Sequence, residues 1–167
     1  MRPLSAAACA ALAFLATSLP AVSRASTAAP VAMPAPSASG VVRLRSANGF
    51  DDTVARLKAD VQAKGIRFFD AIDQTALGAS ADLKIRRSTL VLFGNPPLGV
   101  QFLQSNPYAG LDWPVRMLVI EDADGGVWVA WTDFGFIADR YAITDKAAQF
   151  RMASEVAGSI ATAATTR

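Results

Sequence analysis

The spacing of apolar residues from Val41 to Val61 predicts a strand followed by an amphipathic helix. Residues 41–45 alternate in character, which is typical of a strand with one buried face. Four apolar residues then recur at intervals of three and four positions and mark one side of a helix: Phe50, Val54, Leu57 and Val61. Asn48 or Gly49 is suited to the N-cap position of this helix.

Four further segments rich in β-branched and aromatic residues predict strands: Ile66–Ile72, Ser88–Phe93, Val115–Ile120 and Val127–Trp131. The last two are joined by Glu121–Gly126, whose Asp-Gly-Gly composition is typical of a hairpin turn. Between the second and third strands, Asp73–Arg87 indicates a loop with one helical turn. A short helix is expected after Asn95, a brief helical segment after Asp133, and a last helix that Thr144 caps and that runs to about Ala163.

These elements follow one another in the order β-α-β-β-(short α)-β-β-α. Strands succeed strands instead of alternating strictly with helices, which disfavours a parallel doubly wound sheet. The predicted fold class is therefore α+β, with a mainly antiparallel sheet and helices packed on one of its faces.

The beginning of the chain has the pattern of a cleavable signal peptide. Residues 4–19 are uncharged and mostly apolar, Arg2 precedes them, and Pro20 follows. Small residues at Ser23 and Ala25 suit a signal peptidase, so we expect residues 1–25 to be removed and the protein to be periplasmic or secreted. Residues 26–39, rich in Ala, Pro and Ser, predict a disordered linker, and residues 40–167 a single domain. No membrane span is expected after cleavage.

Composition narrows the chemistry of the mature domain. The chain has no histidine, and its one cysteine, Cys9, lies in the predicted signal peptide. Without imidazole or thiolate groups we expect no transition-metal site and no cofactor. Of the 16 Lys and Arg residues, Arg2 and Arg24 leave with the signal peptide, so the remaining basic residues match the 14 acidic ones. A neutral domain gives no reason to expect nucleic acid as a partner.

Arg116 is unusual because it lies inside an otherwise apolar predicted strand. A charge at such a position usually snorkels to solvent at the sheet edge or pairs with a carboxylate, such as that of Asp70, Asp73 or Asp133. The alternative is that Arg116 faces a pocket for an anionic ligand.

Three other residues are candidates for ligand binding. Asn95 precedes a proline and is held extended, which leaves its amide free to cap a helix or to contact a ligand. Trp128 and Trp131 fall on opposite faces of their strand, so one belongs to the core and the other to the opposite face. Trp131 and Asp133 complete the candidate set with Asn95 and Arg116.

Four short stretches resemble the domain of unknown function family 302: Ile72–Gln74, Leu92–Pro96, Leu111–Arg116 and Asp124–Val129. The resemblance covers roughly residues 41–163. It implies a β-α-β-β-β-β-α arrangement of the TATA-binding-protein-like type and pairing as dimers, with no established activity. Members often have Asp-His where this chain has Asp73-Gln74, so any acid–base or metal role of that histidine is absent here.

Two classes of function remain open at this point. The favoured one is a homodimeric interaction module or a small-ligand-binding module. The alternative is a hydrolase-like or other enzyme that uses arginine and aspartate chemistry around Arg116, Asp73 and Asp133. A flat apolar sheet face would favour the first class, and a concave pocket in which Arg116 converges on an aspartate would favour the second.

Overall fold

The computed structural model describes residues 33–167. The predicted signal peptide and the first part of the predicted linker, through residue 32, lie outside the described residues. The strands are β1 (Val41–Arg45), β2 (Arg67–Asp73), β3 (Ser88–Gly94), β4 (Val115–Glu121) and β5 (Val127–Thr132). The helices are α1 (Phe50–Ala63), α2 (Gln74–Ser80), α3 (Pro96–Ser105), α4 (Phe134–Arg140) and α5 (Ala147–Thr165), with a 3-10 helix at Pro107–Asp112.

The five strands form one sheet in the order β1-β5-β4-β3-β2, and every neighbouring pair is antiparallel. Side chains alternate between the two faces of each strand. One face, called here the covered face, carries the buried residues of the strands: Val42, Val91, Phe93, Met117, Val119, Val127, Val129 and Trp131. They form a single core with buried residues of α1, α4 and α5. The other face, called here the open face, carries the alternate residues, and most of them are half-buried or exposed.

The predicted fold class is confirmed: an antiparallel sheet with helices in an α+β arrangement. Helix α1 begins after Gly49, one of the two expected N-cap residues. Its buried stripe includes Thr53, which is fully buried, while Val54 is only half-buried. Thr53 is accommodated because its hydroxyl bonds the Gly49 carbonyl at 2.8 Å and the Ser46 hydroxyl at 2.7 Å.

Two local expectations differ from the structure. The segment after β2 contains a seven-residue helix, α2, because Asp73 caps it by accepting a hydrogen bond from the Ala76 amide at 2.9 Å. Helix α5 begins at Ala147, and its N-cap is Lys146 and not Thr144. Before it, Asp145 is bonded to Lys146 and Ser105. Residues 37–40, at the boundary between the predicted linker and the predicted domain, form a hydrogen-bonded turn that leads into β1.

Candidate functional site

The four candidate residues are not gathered into one site. Trp131 is buried on the covered face, whereas Arg116 lies on the open face with about half of its side chain exposed. Asn95 is exposed at the N-cap of α3, and its side chain makes no capping hydrogen bond. Asp133 caps α4 by accepting a hydrogen bond from the Phe136 amide at 2.9 Å. Trp131 and Asp133 thus have structural positions, one in the core and one at a helix end.

Arg116 pairs with Asp112, and not with Asp70, Asp73 or Asp133 as the sequence suggested. The Asp112 side chain is only 3 % exposed, against 46 % for Arg116. Asp112 ends the 3-10 helix and Arg116 lies at the start of β4, so the short connection between them brings residues four apart into contact. The structure agrees with the expectation that Arg116 is paired. Its partner was missed because Asp112 belongs to a 3-10 helix that the sequence pattern did not predict.

Two further donors reach the same carboxylate. The Tyr141 hydroxyl donates to Asp112 Oδ2 at 2.6 Å, and Arg140 Nη1 donates to the same oxygen at 3.3 Å. The hydrogen bond to Asp112, together with burial and the nearby negative charge, raises the pKa of Tyr141 above its ordinary value. We call these four residues the Asp112 cluster. It joins the 3-10 helix, β4 and the C-terminal end of α4.

The Asp112 cluster leaves little room for a substrate. The cavity beside it, lined also by Val115, Thr132 and Phe134, has a volume of about 10 Å³. This is roughly the space for one water molecule. Small-molecule sites usually have volumes of about 300–1,000 Å³. The chemistry of the cluster is therefore that of a satisfied buried carboxylate, which stabilises the junction of three elements.

The open face carries a continuous apolar patch. Across the sheet, Ile72, Leu90, Leu118 and Ala130 are paired in register on four successive strands. Adjacent rows add two more apolar residues, so that the set called here the open-face patch is Ile72, Leu90, Leu92, Leu118, Ile120 and Ala130. All six are half-buried, which shows that neighbours on the same face shield them only in part. An antiparallel sheet with one solvated face normally places polar residues there.

Trp128 stands at one corner of the open face and is held in a fixed orientation. Its indole Nε1 donates to Asp122 Oδ2 at 2.7 Å. The guanidinium of Arg43 lies 4.6 Å from the centre of its ring, and that of Arg45 lies at 6.0 Å. Asp122 also accepts hydrogen bonds from the backbone amides of the β4–β5 turn. The aromatic residue on the open face is thus Trp128, and we call it with Asp122, Arg43 and Arg45 the Trp128 corner.

A polar groove of about 650 Å³ lies between α1 and the ends of β2 and β3. Its walls carry both charges: Lys58 and Arg87 with Asp51 and Asp73. Arg87 forms an exposed ion pair with Asp51, and the hydrogen bond from Arg87 holds the pKa of the Asp51 carboxyl below its usual range. The remaining lining includes hydroxyl and amide groups and an apolar floor: Gln62, Thr75, Thr89, Phe50, Val54, Ala55 and Ala59.

The family model for the domain of unknown function DUF302 matches residues 42–163 of this chain. The chain belongs to the DUF302 family. The match spans nearly all of the described domain, in agreement with the resemblance expected from the four short stretches of sequence.

Known proteins similar to this DUF302 chain include two with a named activity. The chain is 32 % identical over 105 residues to fluoride-specific ion channel FluC 1 of Brucella suis biovar 1 (strain 1330). This region of similarity covers 63 % of this chain and 41 % of that protein. The FluC 1 protein of Brucella abortus biovar 1 (strain 9-941) is also 32 % identical over 105 residues, with 39 % of its length covered. The chain spans about two fifths of the length of these curated relatives.

Among solved structures, the DUF302 chain is similar to an uncharacterized conserved DUF302 protein from Bacillus stearothermophilus. The TM-score is 0.69 at 12 % sequence identity, and the alignment covers 76 % of this chain and 99 % of the other. At this identity the likeness shows the fold.

Two of the stretches that mark the DUF302 family meet in space. The indole of Trp113, in Leu111–Arg116, lies against Gly94 and Gly99. A Cβ atom on Gly99 would lie 1.8 Å from Trp113 Nε1, so only glycine fits at this position. The stretch Leu111–Arg116 also contains Asp112 and its ion-pair partner Arg116. Both family marks therefore serve the packing of the β3–α3 and 3-10–β4 junctions.

The other two stretches are also explained by local contacts. Asp73 caps α2, and Gln74 accepts a hydrogen bond from the Ser88 hydroxyl at 2.7 Å. In Asp124–Val129, Gly125 supplies the positive φ of +76° that the hairpin turn requires, and Trp128 forms its corner of the open face. The Asp122 carboxylate stabilises this turn by accepting hydrogen bonds from the backbone amides of Asp124 and Gly126.

Two kinds of feature are absent from residues 33–167. Within this range no three His, Cys, Asp or Glu side chains are grouped so that they could hold a metal ion. No helix of the same range is both long enough and apolar enough to cross a membrane.

Proposed function

We propose that this DUF302 protein is an exported interaction module that forms a homodimer through its open sheet face. The observation that supports this most directly is the open-face patch, in which six half-buried apolar side chains lie in adjacent rows on four strands. A contiguous apolar surface of this kind is typical of a contact with another protein.

The Trp128 corner supports the same proposal. Tryptophan and arginine are the residues that most often dominate the binding energy of protein interfaces. Trp128 is already fixed by Asp122 and flanked by Arg43, so little conformational freedom would be lost when a partner covers it. The corner adjoins the patch, because Trp128 is paired with Ile120 across β4 and β5.

The enzyme alternative has weaker geometric support. Arg116 does converge on an aspartate, Asp112, but the adjoining cavity of about 10 Å³ has no room for a substrate. A flat apolar face is the feature that favours an interaction module over a catalytic one.

Binding of a small polar molecule is a second candidate function. It is favoured by the groove beside α1, whose volume of about 650 Å³ and mixed lining of charged, hydroxyl and apolar groups suit such a ligand. Native mass spectrometry of the protein purified under gentle conditions tests this directly. A stoichiometric small molecule that is lost in a Lys58→Met variant, but retained in Arg151→Met on α5, would support the groove as its site; no retained molecule would argue against it.

The curated relatives are consistent with a module. The 105-residue region of similarity makes up about two fifths of proteins named as fluoride-specific ion channels, so the same kind of domain accompanies further chain there. We infer that this chain contributes an association domain, and we do not extend the channel activity to it.

Self-association is tested by sedimentation velocity of the exported protein between about 1 and 200 µM. We expect Leu118→Glu, at the centre of the open face, to shift the protein towards monomer, because it would place a charge in an apolar contact. Val100→Glu on α3 is the matched control, since Val100 is an exposed apolar residue away from the sheet. A wild-type protein that remains monomeric throughout this range would contradict the homodimer.

Export is tested by the intact mass of protein recovered from a periplasmic extract. We expect a chain that begins after Ala25. A recovered chain that still contains Met1 and Cys9 would contradict both the signal peptide and the absence of a thiol in the mature protein.

A further inference from the structure

The polar groove beside α1 runs along that helix. Four of its lining residues share one face of α1, because they follow one another at helical intervals: Asp51, Ala55, Lys58 and Gln62. An α-helix rises about 1.5 Å per residue, so Lys58 lies about 10 Å further along the groove than Asp51. The groove therefore has two ends whose charges can be compared.

The end of the groove at Asp51 is acidic. Arg87 is bound to Asp51 there, and this hydrogen bond does most to raise the pKa of Arg87, which the charges of Glu121 and Asp73 raise further. Three carboxylates thus act on one guanidinium. Asp73 Oδ1 accepts a hydrogen bond from the Ala76 amide, whereas its Oδ2 accepts none within the part of the chain that the structure describes. This end of the groove therefore attracts a cation and repels an anion.

The other end of the groove carries an unpaired cation. Lys58 is half-buried and forms no ion pair within residues 33–167. Its ammonium lies 5.3 Å from the centre of the Phe68 ring, near the start of β2, whereas Asp73 is the last residue of that strand. By the rise of the helix and by that of the strand, the charges of Lys58 and Asp73 lie between about 10 and 16 Å apart.

We propose that the groove binds a small zwitterion whose ammonium and carboxylate lie about 10 Å apart, the ammonium at Asp73 and the carboxylate at Lys58. This inference rests on the small-molecule function proposed above for the groove, and it names the class of ligand. An extended peptide advances about 3.3 Å per residue, so an unblocked peptide of about three residues has its two charged ends at this separation.

The rest of the lining suits a peptide between these two ends. The apolar floor of the groove includes short side chains of α1: Val54, Ala55 and Ala59. The Thr89 hydroxyl stands beside Asp73, because the two residues are paired across β2 and β3. The Gln62 amide lies one helical turn beyond Lys58. A hydroxyl and an amide both donate and accept hydrogen bonds, as the amide groups of a peptide require.

The charges of the groove disfavour other classes of ligand. Asp51 already neutralises Arg87, so Lys58 is the cation of the described lining that is left for an anion. A phosphate with two charges would meet this single free ammonium and would face carboxylates at the other end. A simple cation would leave Lys58 unpaired. A zwitterion complements both ends.

A titration of the exported, ¹⁵N-labelled protein with trialanine, followed by NMR, tests the inference. We expect the amide signals of Ala55, Ala59 and Thr89 to shift, and those of the open-face patch to stay in place. N-acetyl-trialanine lacks the ammonium and trialanine amide lacks the carboxylate. Each should bind about fivefold more weakly than trialanine, as expected for the loss of one partly solvated ion pair.

Two variants assign the charges of the ligand to the ends of the groove. Lys58→Met should bind trialanine and trialanine amide equally and should still prefer trialanine to its N-acetyl form. Asp73→Asn should do the reverse, and asparagine keeps the cap of α2. Arg151→Met on the exposed side of α5 removes a charge outside the groove and should leave all three affinities unchanged. Circular dichroism and the melting temperature confirm that each variant is folded.

A second probe separates a peptide from other zwitterions. The ω-amino acid 8-aminooctanoate has charged ends at a similar separation but no internal amide group, so we expect it to bind more weakly than trialanine. Equal binding of the two probes would overturn the peptide and leave the zwitterion standing.

The outcomes also separate this inference from the proposal on which it rests. Equal binding of trialanine and its two blocked forms by the wild type, or no binding of trialanine, overturns the zwitterion. If native mass spectrometry then finds another molecule that is lost in Lys58→Met, the groove remains a ligand site of a different class. If it finds none, both the zwitterion and the groove function are wrong.

Discussion

Asp112 and Asp122 each accept hydrogen bonds from three donors, but they act in different regions. The Asp112 carboxylate is 3 % exposed and is bonded to two guanidiniums and a tyrosine hydroxyl from different elements. Asp122 is half-buried at a hairpin, where it is bonded to two amides of its own turn and to Trp128. The number of hydrogen bonds is the same, so burial and the identity of the donors must account for the difference in role.

Burial predicts which of the two regions governs folding. A buried carboxylate that loses its donors, or a buried donor that loses its carboxylate, cannot be compensated fully by water. At the hairpin, water can replace much of what Asp122 provides. We therefore expect changes in the Asp112 cluster to reduce the free energy of unfolding, and changes in the Trp128 corner to weaken association more than folding.

Removal of the central carboxylate of the Asp112 cluster should have the largest effect. We expect Asp112→Ala to lower the free energy of unfolding by about 3 kcal/mol, because the buried hydroxyl of Tyr141 loses its acceptor and two arginines are left side by side. Urea unfolding followed by circular dichroism measures this change. Asp139→Ala, an exposed aspartate on α4, is the matched control and should change stability by less than about 0.5 kcal/mol.

Arg116→Ala should be milder. The Arg116 side chain is 46 % exposed, so solvent screens its ion pair, and Asp112 keeps its bonds to Arg140 and Tyr141. We expect a loss of about 1 kcal/mol. The same urea titration compares it with Asp112→Ala. An Arg116→Ala variant as unstable as Asp112→Ala would show that Arg116 is the main stabilising donor to Asp112 despite its exposure.

The partner of Arg116 shows where the sequence stops being informative. That an arginine in an apolar strand should be paired follows from general physical chemistry, and the structure agrees. Its partner depends on a 3-10 helix that ends at Asp112, and the sequence offers no pattern for that turn. Tyr141 is 29 residues from Asp112 along the chain, so no local spacing connects them.

The strands were predictable because their apolar residues alternate or run together over five or more positions, as in β3, β4 and β5. Helix α2 was not, because no residue of Gln74–Ser80 is buried and the helix therefore has no apolar stripe. The odd separation of Trp128 and Trp131 predicted opposite faces, which is confirmed. Which of the two faces the core depends on the pairing of Met117 with Trp131, a long-range feature.

Tyr141→Phe tests the role of the buried Asp112 cluster through the pH dependence of stability. The pKa of Tyr141 is raised in the folded protein, so the folded state holds its proton more tightly than the unfolded state. The contribution of Tyr141 to stability is therefore fully present below about pH 10, the ordinary tyrosine pKa, and is lost as the pH rises through the higher pKa of the folded state. We expect the wild type to lose stability more steeply than Tyr141→Phe in this range.

Tyr108 provides the control for this experiment. It is the other of the two tyrosines of the chain and is 73 % exposed, so Tyr108→Phe removes a tyrosine hydroxyl outside the Asp112 cluster. Urea unfolding at pH 8 and at about pH 10.5 distinguishes the variants. Equal pH slopes for wild type and Tyr141→Phe would mean that the hydroxyl does not titrate with folding.

Asp122→Asn should have the smallest effect on folding and a measurable one on association. The amide can still accept from the Gly126 amide, but its NH₂ group then faces the indole N–H, so Trp128 loses the acceptor that orients it. The hydrogen bond from Trp128 also contributes most to the lowered pKa of Asp122, so the stabilisation it gives is present above about pH 4 and is lost as the pH falls further. At neutral pH we expect the dimer dissociation constant to rise about threefold, with a smaller loss of stability than in Arg116→Ala.

Asp124→Asn is the neighbouring control, because only the backbone amide of Asp124 takes part in the turn. If sedimentation velocity finds the same dissociation constant for Asp122→Asn and Asp124→Asn, then the fixed orientation of Trp128 serves the hairpin alone, and the two aspartates differ in burial without differing in role.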